Sequence, residues 1–112
     1  MATRPKELIN AQITAALAAI PYTAGTGVKC RITAASICNV EAATSYTVDV
    51  HKIPSGDSGT AANKIINTRT IYGGETYPCP ELIGQILEAG DKLDAVASTT
   101  LKLNFIVSGI EL

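Results

Sequence analysis

The strongest constraint in this chain is the period-two alternation of its closing segment. Over residues 101–110, Leu101, Leu103, Phe105 and Val107 share one face, while Lys102, Asn104 and Ser108 share the other. Successive side chains of a strand point to opposite faces, so this pattern predicts a strand with one face in a core and one face outside it. Two turns precede it, Glu88-Ala89-Gly90-Asp91 and Ser98-Thr99-Thr100. They bracket residues 92–97, where Leu93, Ala95 and Ala97 repeat the inward alternation. Residues 92–97 and 101–110 are therefore expected to form a closing hairpin.

The preceding residues carry the same signature in shorter pieces. Tyr22 and Thr23 end a short strand over residues 20–23, closed by Ala24-Gly25-Thr26-Gly27. In residues 28–39, Val28, Cys30, Ile32 and Ala34 alternate with Lys29, Arg31 and Thr33. Ile37 then breaks the phase, which predicts a bulge near Ala34-Ala35-Ser36. Residues 45–53 turn Tyr46, Val48 and Val50 inward and Thr47, Asp49 and His51 outward. Residues 54–63 are a Gly/Ser/Asp loop, residues 64–72 a further strand, and Gly73-Gly74-Glu75 its turn. Pro78 and Pro80 around Cys79 mark an edge or a corner. Residues 81–87 suit a short helix or a strand. About eight short strands spaced near ten residues predict an all-β, single-domain sandwich, jelly-roll-like in its strand count.

The N-terminal part is less determined. Residues 1–7 read as a polar arm ahead of a sandwich domain over residues 8–112. Residues 8–20 fit two periods: Ile9, Ile13, Ala16, Leu17 and Ile20 at helical spacing, or Ile9, Ala11, Ile13, Ala15, Leu17 and Ala19 at strand spacing. Alanine favours a helix, and the β character of the remaining chain favours an extended segment, which is the reading taken.

Charge excludes one class of function. A net charge of -1 with 17% charged residues is too balanced for binding nucleic acid through phosphate neutralisation. One Phe and no Trp leave a thin core of Ala, Ile, Leu and Val. Sparse charge over a thin core points to a surface partly covered by partners. No leader-like apolar segment and no run long enough to span a membrane is seen. The three cysteines, Cys30, Cys38 and Cys79, are expected as reduced, buried, hydrophobe-like side chains. With His51 they make four potential zinc ligands, but none of them form a C-x-x-C pair.

No catalytic constellation emerges. His51 is the only histidine and reads as an exposed strand residue. Glu75, Glu81, Glu88, Asp91 and Asp94 sit in or beside turns, where acids are ordinary solvated residues. The Ser55-Gly56-Asp57-Ser58-Gly59 loop lacks the lysine and the helix of a phosphate-binding loop. Tyr22, Tyr72 and Tyr77 stand beside Gly or Pro turns and read as packing plugs rather than sugar-stacking platforms; Tyr46 reads as core. No catalytic residue, cofactor site or metal site is assigned.

Several stretches together resemble the short all-β structural proteins of tailed-bacteriophage virions. They are Tyr22-Thr23-Ala24 with Gly27, Ile37-Cys38-Asn39, Val48 and Val50 with Ile53-Pro54 and its Ser-Gly loop, and the Gly-Glu turn at residues 71–75. The most specific are residues 87–93 (LEAGDKL) and Ser108-Gly109-Ile110-Glu111. Pro21 and Pro78-Cys79-Pro80 depart from that pattern. The resemblance implies a non-enzymatic head decoration or cement protein, assembled in the host cytoplasm and sited on the capsid surface. Its partners are expected to be the major capsid protein or other virion proteins, with a homo-oligomer, dimer or trimer, and neither nucleic acid nor membrane. A neck, tail or baseplate component and a carbohydrate-binding adhesin are the alternatives. The expected partner contacts are Arg4, Pro5 and Lys6 of the arm, Pro54, Ser55 and Asp57 of the loop, and Ile110 and Leu112 at the C-terminus.

Overall fold

The computed structural model describes residues 4–16 and 22–112. Nine strands follow in order: β1 (Arg4–Gln12), β2 (Tyr22–Thr23), β3 (Cys30–Asn39), β4 (Tyr46–Ile53), β5 (Lys64–Ile71), β6 (Thr76–Tyr77), β7 (Ile86–Leu87), β8 (Lys92–Ala97) and β9 (Leu103–Glu111). One 3-10 turn, Ala61–Asn63, precedes β5 and is capped by Thr60. The strands form two antiparallel sheets, ordered β1-β9-β3-β6 and β2-β8-β4-β5, with β7 also on β3.

The topology is that of one long hairpin rolled on itself. β4 pairs with β5 at its tip. Moving outward, β3 pairs with β6 and β7, β2 with β8, and β1 with β9. Rolling adds two further ladders, β3 to β9 and β4 to β8, which close each sheet. This is the jelly-roll arrangement of two packed sheets. β6 and β7 lie against opposite ends of β3, at residues 37–38 and 30–31, so together they fill one strand's place. Residues 78–85, with Pro78 and Pro80, make the excursion between them, since proline cannot donate to a ladder.

Several expectations are corrected. Residues 92–97 and 101–110 are not a hairpin: β8 and β9 lie in different sheets, and residues 98–102 carry the chain across the sandwich. Leu101, expected inward, is 52% exposed with φ 63, because the crossing bends the chain there before β9 begins. Residues 4–7 are no arm; they are the first half of β1, paired with residues 108–111 of β9. Residues 8–12 are extended as expected, while residues 1–3 and 17–21 lie outside the described residues. That range includes Pro21 and most of the helix-or-strand ambiguity. The expected bulge in β3 exists, with the register shift between Ile32 and Ala34. It leaves Cys30, Ile32, Ala35 and Ile37 on the inner face.

The core lies between the sheets. Phe105, Leu103 and Val107 of β9 meet Val48 and Val50 of β4 and Leu93 and Ala95 of β8, all buried. Burying one such side chain stabilises by about 1.5–3 kcal/mol, so β9 anchors the fold through three of them. No helix of the described residues is long and apolar enough to cross a membrane.

Candidate functional site

Strand direction defines the two ends of the sandwich. β9, β4 and β6–β7 run toward one end, termed the upper end, and β1, β3, β5 and β8 run away from it. The upper end therefore gathers the start of β1, the turn over residues 24–29, the loop over residues 54–63, the turn over residues 88–91 and Leu112. All eight expected contact residues, Arg4, Pro5, Lys6, Pro54, Ser55, Asp57, Ile110 and Leu112, lie at or near this end. They fall into two groups. Arg4, Pro5 and Lys6 pair in register with Glu111, Ile110 and Gly109. Pro54 and Asp57 line a separate hollow of about 280 Å³ with Ser58, Thr60, Ala62 and Asn63.

A chain of polar contacts joins the two groups. Arg4 Nη2 and Lys6 Nζ lie 2.5 Å and 3.0 Å from the Glu111 carboxylate. The Leu112 N–H donates to the Lys29 carbonyl at 2.8 Å. Lys29 Nζ lies 3.4 Å from Glu88 Oε1. Asp91 accepts from the Glu88 N–H at 3.0 Å and from the Ser55 N–H at 3.0 Å, so one carboxylate closes its own turn and pins the 54–63 loop. Gly90 permits this approach. Its φ is +85, and a Cβ there would meet Ser55 Cβ at 2.9 Å.

Glu111 was expected only as a family mark, not as a structural group. Strand parity places it on the inner face of β9, where it is 8% exposed. A hydrogen bond from Lys6 holds its carboxyl below the usual carboxylate range; burial opposes this, and Arg4 adds to it. Lys6 also lies 5.7 Å from the Tyr22 ring centroid. The Tyr22 hydroxyl meets Cys30 Sγ at 3.1 Å.

Other candidates are placed differently from expectation. His51 is buried at 4% exposure, and Asp94, read as a turn residue, is buried at 1%. They are opposite each other in the β4–β8 ladder, on the face turned away from the main core. The Asp94 carboxylate accepts the Ala95 N–H at 2.8 Å. His51 Nδ1 has no hydrogen-bond partner among the described residues. Cys30 and Cys79 are buried as expected, Cys38 only half-buried, and all three are free thiols. Burial pushes the Cys79 thiol up to about 12, with Glu81 adding to the effect, so it is a packing group and not a nucleophile. Tyr77 is buried, its hydroxyl donates to Glu81 at 2.5 Å, and Arg69 lies 4.2 Å from its ring centroid, bridging the two sheets. Tyr72 is 64% exposed. Among the described residues no three His, Cys, Asp or Glu side chains group as a metal site.

The opposite, lower end has its own character. Val40, Tyr72 and Leu101 are exposed there, beside an ion pair between Lys102 and Glu41 at 2.7 Å. In comparisons with known proteins, no protein-family model, no curated protein and no solved structure matches this chain.

Proposed function

We propose that this chain is a non-enzymatic virion structural protein of a tailed bacteriophage. In this reading it is a head decoration or cement protein whose upper end docks on the major capsid protein shell. One observation carries the reading: the upper end collects the start of β1, the C-terminal residue, two turns and the longest loop, tied by a continuous series of ion pairs and hydrogen bonds. A rigid end that presents loops and charges from five chain segments suits repeated docking on identical subunits. The jelly roll is a fold that capsid proteins use, which is an analogy of fold and supports the reading only as such.

The test is co-sedimentation with empty heads that lack the protein. Asp57→Lys and Leu112→Ala change exposed upper-end side chains and should leave the circular dichroism spectrum unchanged. Each should weaken attachment by about tenfold or more if it sits in the docking surface. Tyr72→Ala, at the lower end, should attach like the wild type. Equal attachment of the upper-end variants, or loss with Tyr72→Ala, refutes the docking end. Copy number separates head from neck, tail or baseplate: hundreds per particle belong to the head. The adhesin alternative gains nothing from the fold, since Tyr22 and Tyr77 are packed and hydrogen-bonded and only Tyr72 of its three candidate tyrosines is free to stack on a sugar.

A further inference from the structure

The two outer faces of the sandwich differ in charge. The β2-β8-β4-β5 sheet turns Asp49, Lys64 and Lys92 outward, as its register requires, with Asp94 buried beneath that face. Among the strand positions whose register turns them to the outer face of β1, β9 and β3, the charged residues are Glu7 and Arg31. At its centre Ile106 of β9 is 42% exposed. Charge depletion with an apolar centre is the compositional mark of an interface core.

A hollow of about 480 Å³ lies on this face, lined by Pro5, Lys6, Glu7, Thr33 and residues 108–110. Its cause is local. Both strands flanking β9 shift register beside Ser108: β1 between Glu7 and Ile9, opposite Ser108 and Val107, and β3 between Ile32 and Ala34, opposite Gly109 and Ser108. Two bulges at adjacent levels bend the sheet and open a concavity.

Glu7 and Arg31 stand on opposite flanks of β9, two strands apart, or about 10 Å at the usual strand spacing. Neither belongs to an ion pair among the described residues. Among the described residues, the contact to the Glu7 carboxylate is a 3.4 Å hydrogen bond from Asn10 Nδ2. We propose that this face joins two copies of the chain, related by a two-fold axis parallel to β9, with Arg31 of each copy seated in the hollow of the other and paired with Glu7.

The register carries the geometry. A two-fold axis along β9 lays β1 of one copy over β3 of the other. Arg31 is level with Ile110, and Ile110 is level with Pro5, so the incoming Arg31 arrives over Pro5. From there Glu7 is two residues along the same strand, about 7 Å, within reach of an arginine. The stem packs on Pro5 and Ile110, the guanidinium meets the carboxylate, and the contact occurs twice by symmetry. Ile106 meets its own copy on the axis. Four strand positions by nine residues make a face of about 19 by 30 Å, so two copies cover roughly 1,100–1,200 Å², at the lower edge of stable interfaces. The second copy is the occupant that supplies the reciprocal charge at the same level on both flanks.

The inference does not depend on the capsid reading, and its test uses the isolated chain. Sedimentation equilibrium should show a dimer at concentrations of about 10–100 µM, as expected for an interface of this size. Arg31→Glu and Glu7→Arg should each weaken dimerisation by about 100-fold, because a pairing becomes a repulsion twice over. The double variant Glu7→Arg/Arg31→Glu should recover the dimer, and Ile106→Lys should abolish it. All three positions, Glu7, Arg31 and Ile106, are solvent-exposed in the single chain, so circular dichroism should be unchanged. A wild-type chain that remains a monomer overturns the proposal. So does a dimer indifferent to the single reversals, or one that the double variant fails to restore. If the wild type is a monomer and Arg31→Glu instead loses attachment to heads, the face belongs to the shell.

Discussion

Gly109→Ala tests whether the two bulges and the close strand approach in the last third of β9 are one structural device. A Cβ at Gly109 would sit 2.6 Å from the Arg31 carbonyl oxygen, 3.3 Å from the Arg31 carbonyl carbon and 3.2 Å from Leu8 Cδ1. The leucine end can turn away, but the Arg31 carbonyl is backbone inside the β3–β9 ladder. Restoring an ordinary contact near 3.4 Å needs a separation of about 0.8 Å, from the difference between 3.4 and 2.6 Å. Ladder bonds near 2.9 Å would lengthen to about 3.7 Å, outside hydrogen-bonding range. Two such bonds are worth about 1 kcal/mol each. Overpacking adds about 1–3 kcal/mol, and the stiffer unfolded chain returns about 0.4–1 kcal/mol. The net loss is about 2–4.6 kcal/mol. With an unfolding entropy of about 2.1 cal/mol/K per residue, a chain of this size should lose roughly 8–20 °C in Tm. The assay is thermal unfolding at matched protein concentration, with Gly25→Ala as the control, whose Cβ would meet only Val28 Cγ2 at 3.6 Å. A Gly109→Ala protein that melts within about 2 °C of the wild type refutes the reasoning, since a shift that small corresponds to well under 1 kcal/mol.

Two further outcomes concern the crossing and the upper end. Leu101→Gly should stabilise the chain: Leu101 is exposed and holds φ 63, a left-handed conformation that costs an L-residue about 1–2 kcal/mol, and urea unfolding reads the gain. Glu111, whose folded carboxyl is held below its usual range, should lend stability that is fully present above the ordinary glutamate range and fades as pH falls through the lower folded value; Glu111→Gln should flatten that acid arm of Tm against pH, while an unchanged slope argues against the Arg4 and Lys6 contacts.

The fold class was legible because alternation and turns are local properties. Residues 46–53 and 103–111 carry the two-residue period plainly, and both are strands. The bulge in β3 was legible for the same reason, since a phase break in the apolar pattern has few other repairs. Pairing was not legible. Residues 98–100 look like a hairpin turn, yet Thr47 takes hold of Ser98: the Thr47 N–H donates to Ser98 Oγ at 3.0 Å, and the Ser98 N–H donates to the Thr47 carbonyl at 2.9 Å. Those bonds keep the end of β8 on the β4 side. The Leu101 N–H, bonded to the Ile13 carbonyl at 2.9 Å, then starts the chain into the other sheet. Strand partners in a rolled hairpin are set by contacts between residues about fifty to ninety positions apart, which no local period reports.

The same distinction separates the charges that were anticipated from those that were not. Asp91 behaves as a turn residue, and its carboxylate is spent on two backbone N–H groups of adjacent turns. Glu111 and Asp94 look equally ordinary in sequence but are buried, because each falls on a strand position whose side the register decides. Glu111 is compensated by two cations at the edge of the sheet, so the start of β1 is ordered by the same carboxylate that ends β9. An edge strand with Pro5, Lys6, Glu7 and a bulge is poorly suited to pairing with a further strand. That protection fits the proposed dimer, which uses the face of the sheet rather than its edge.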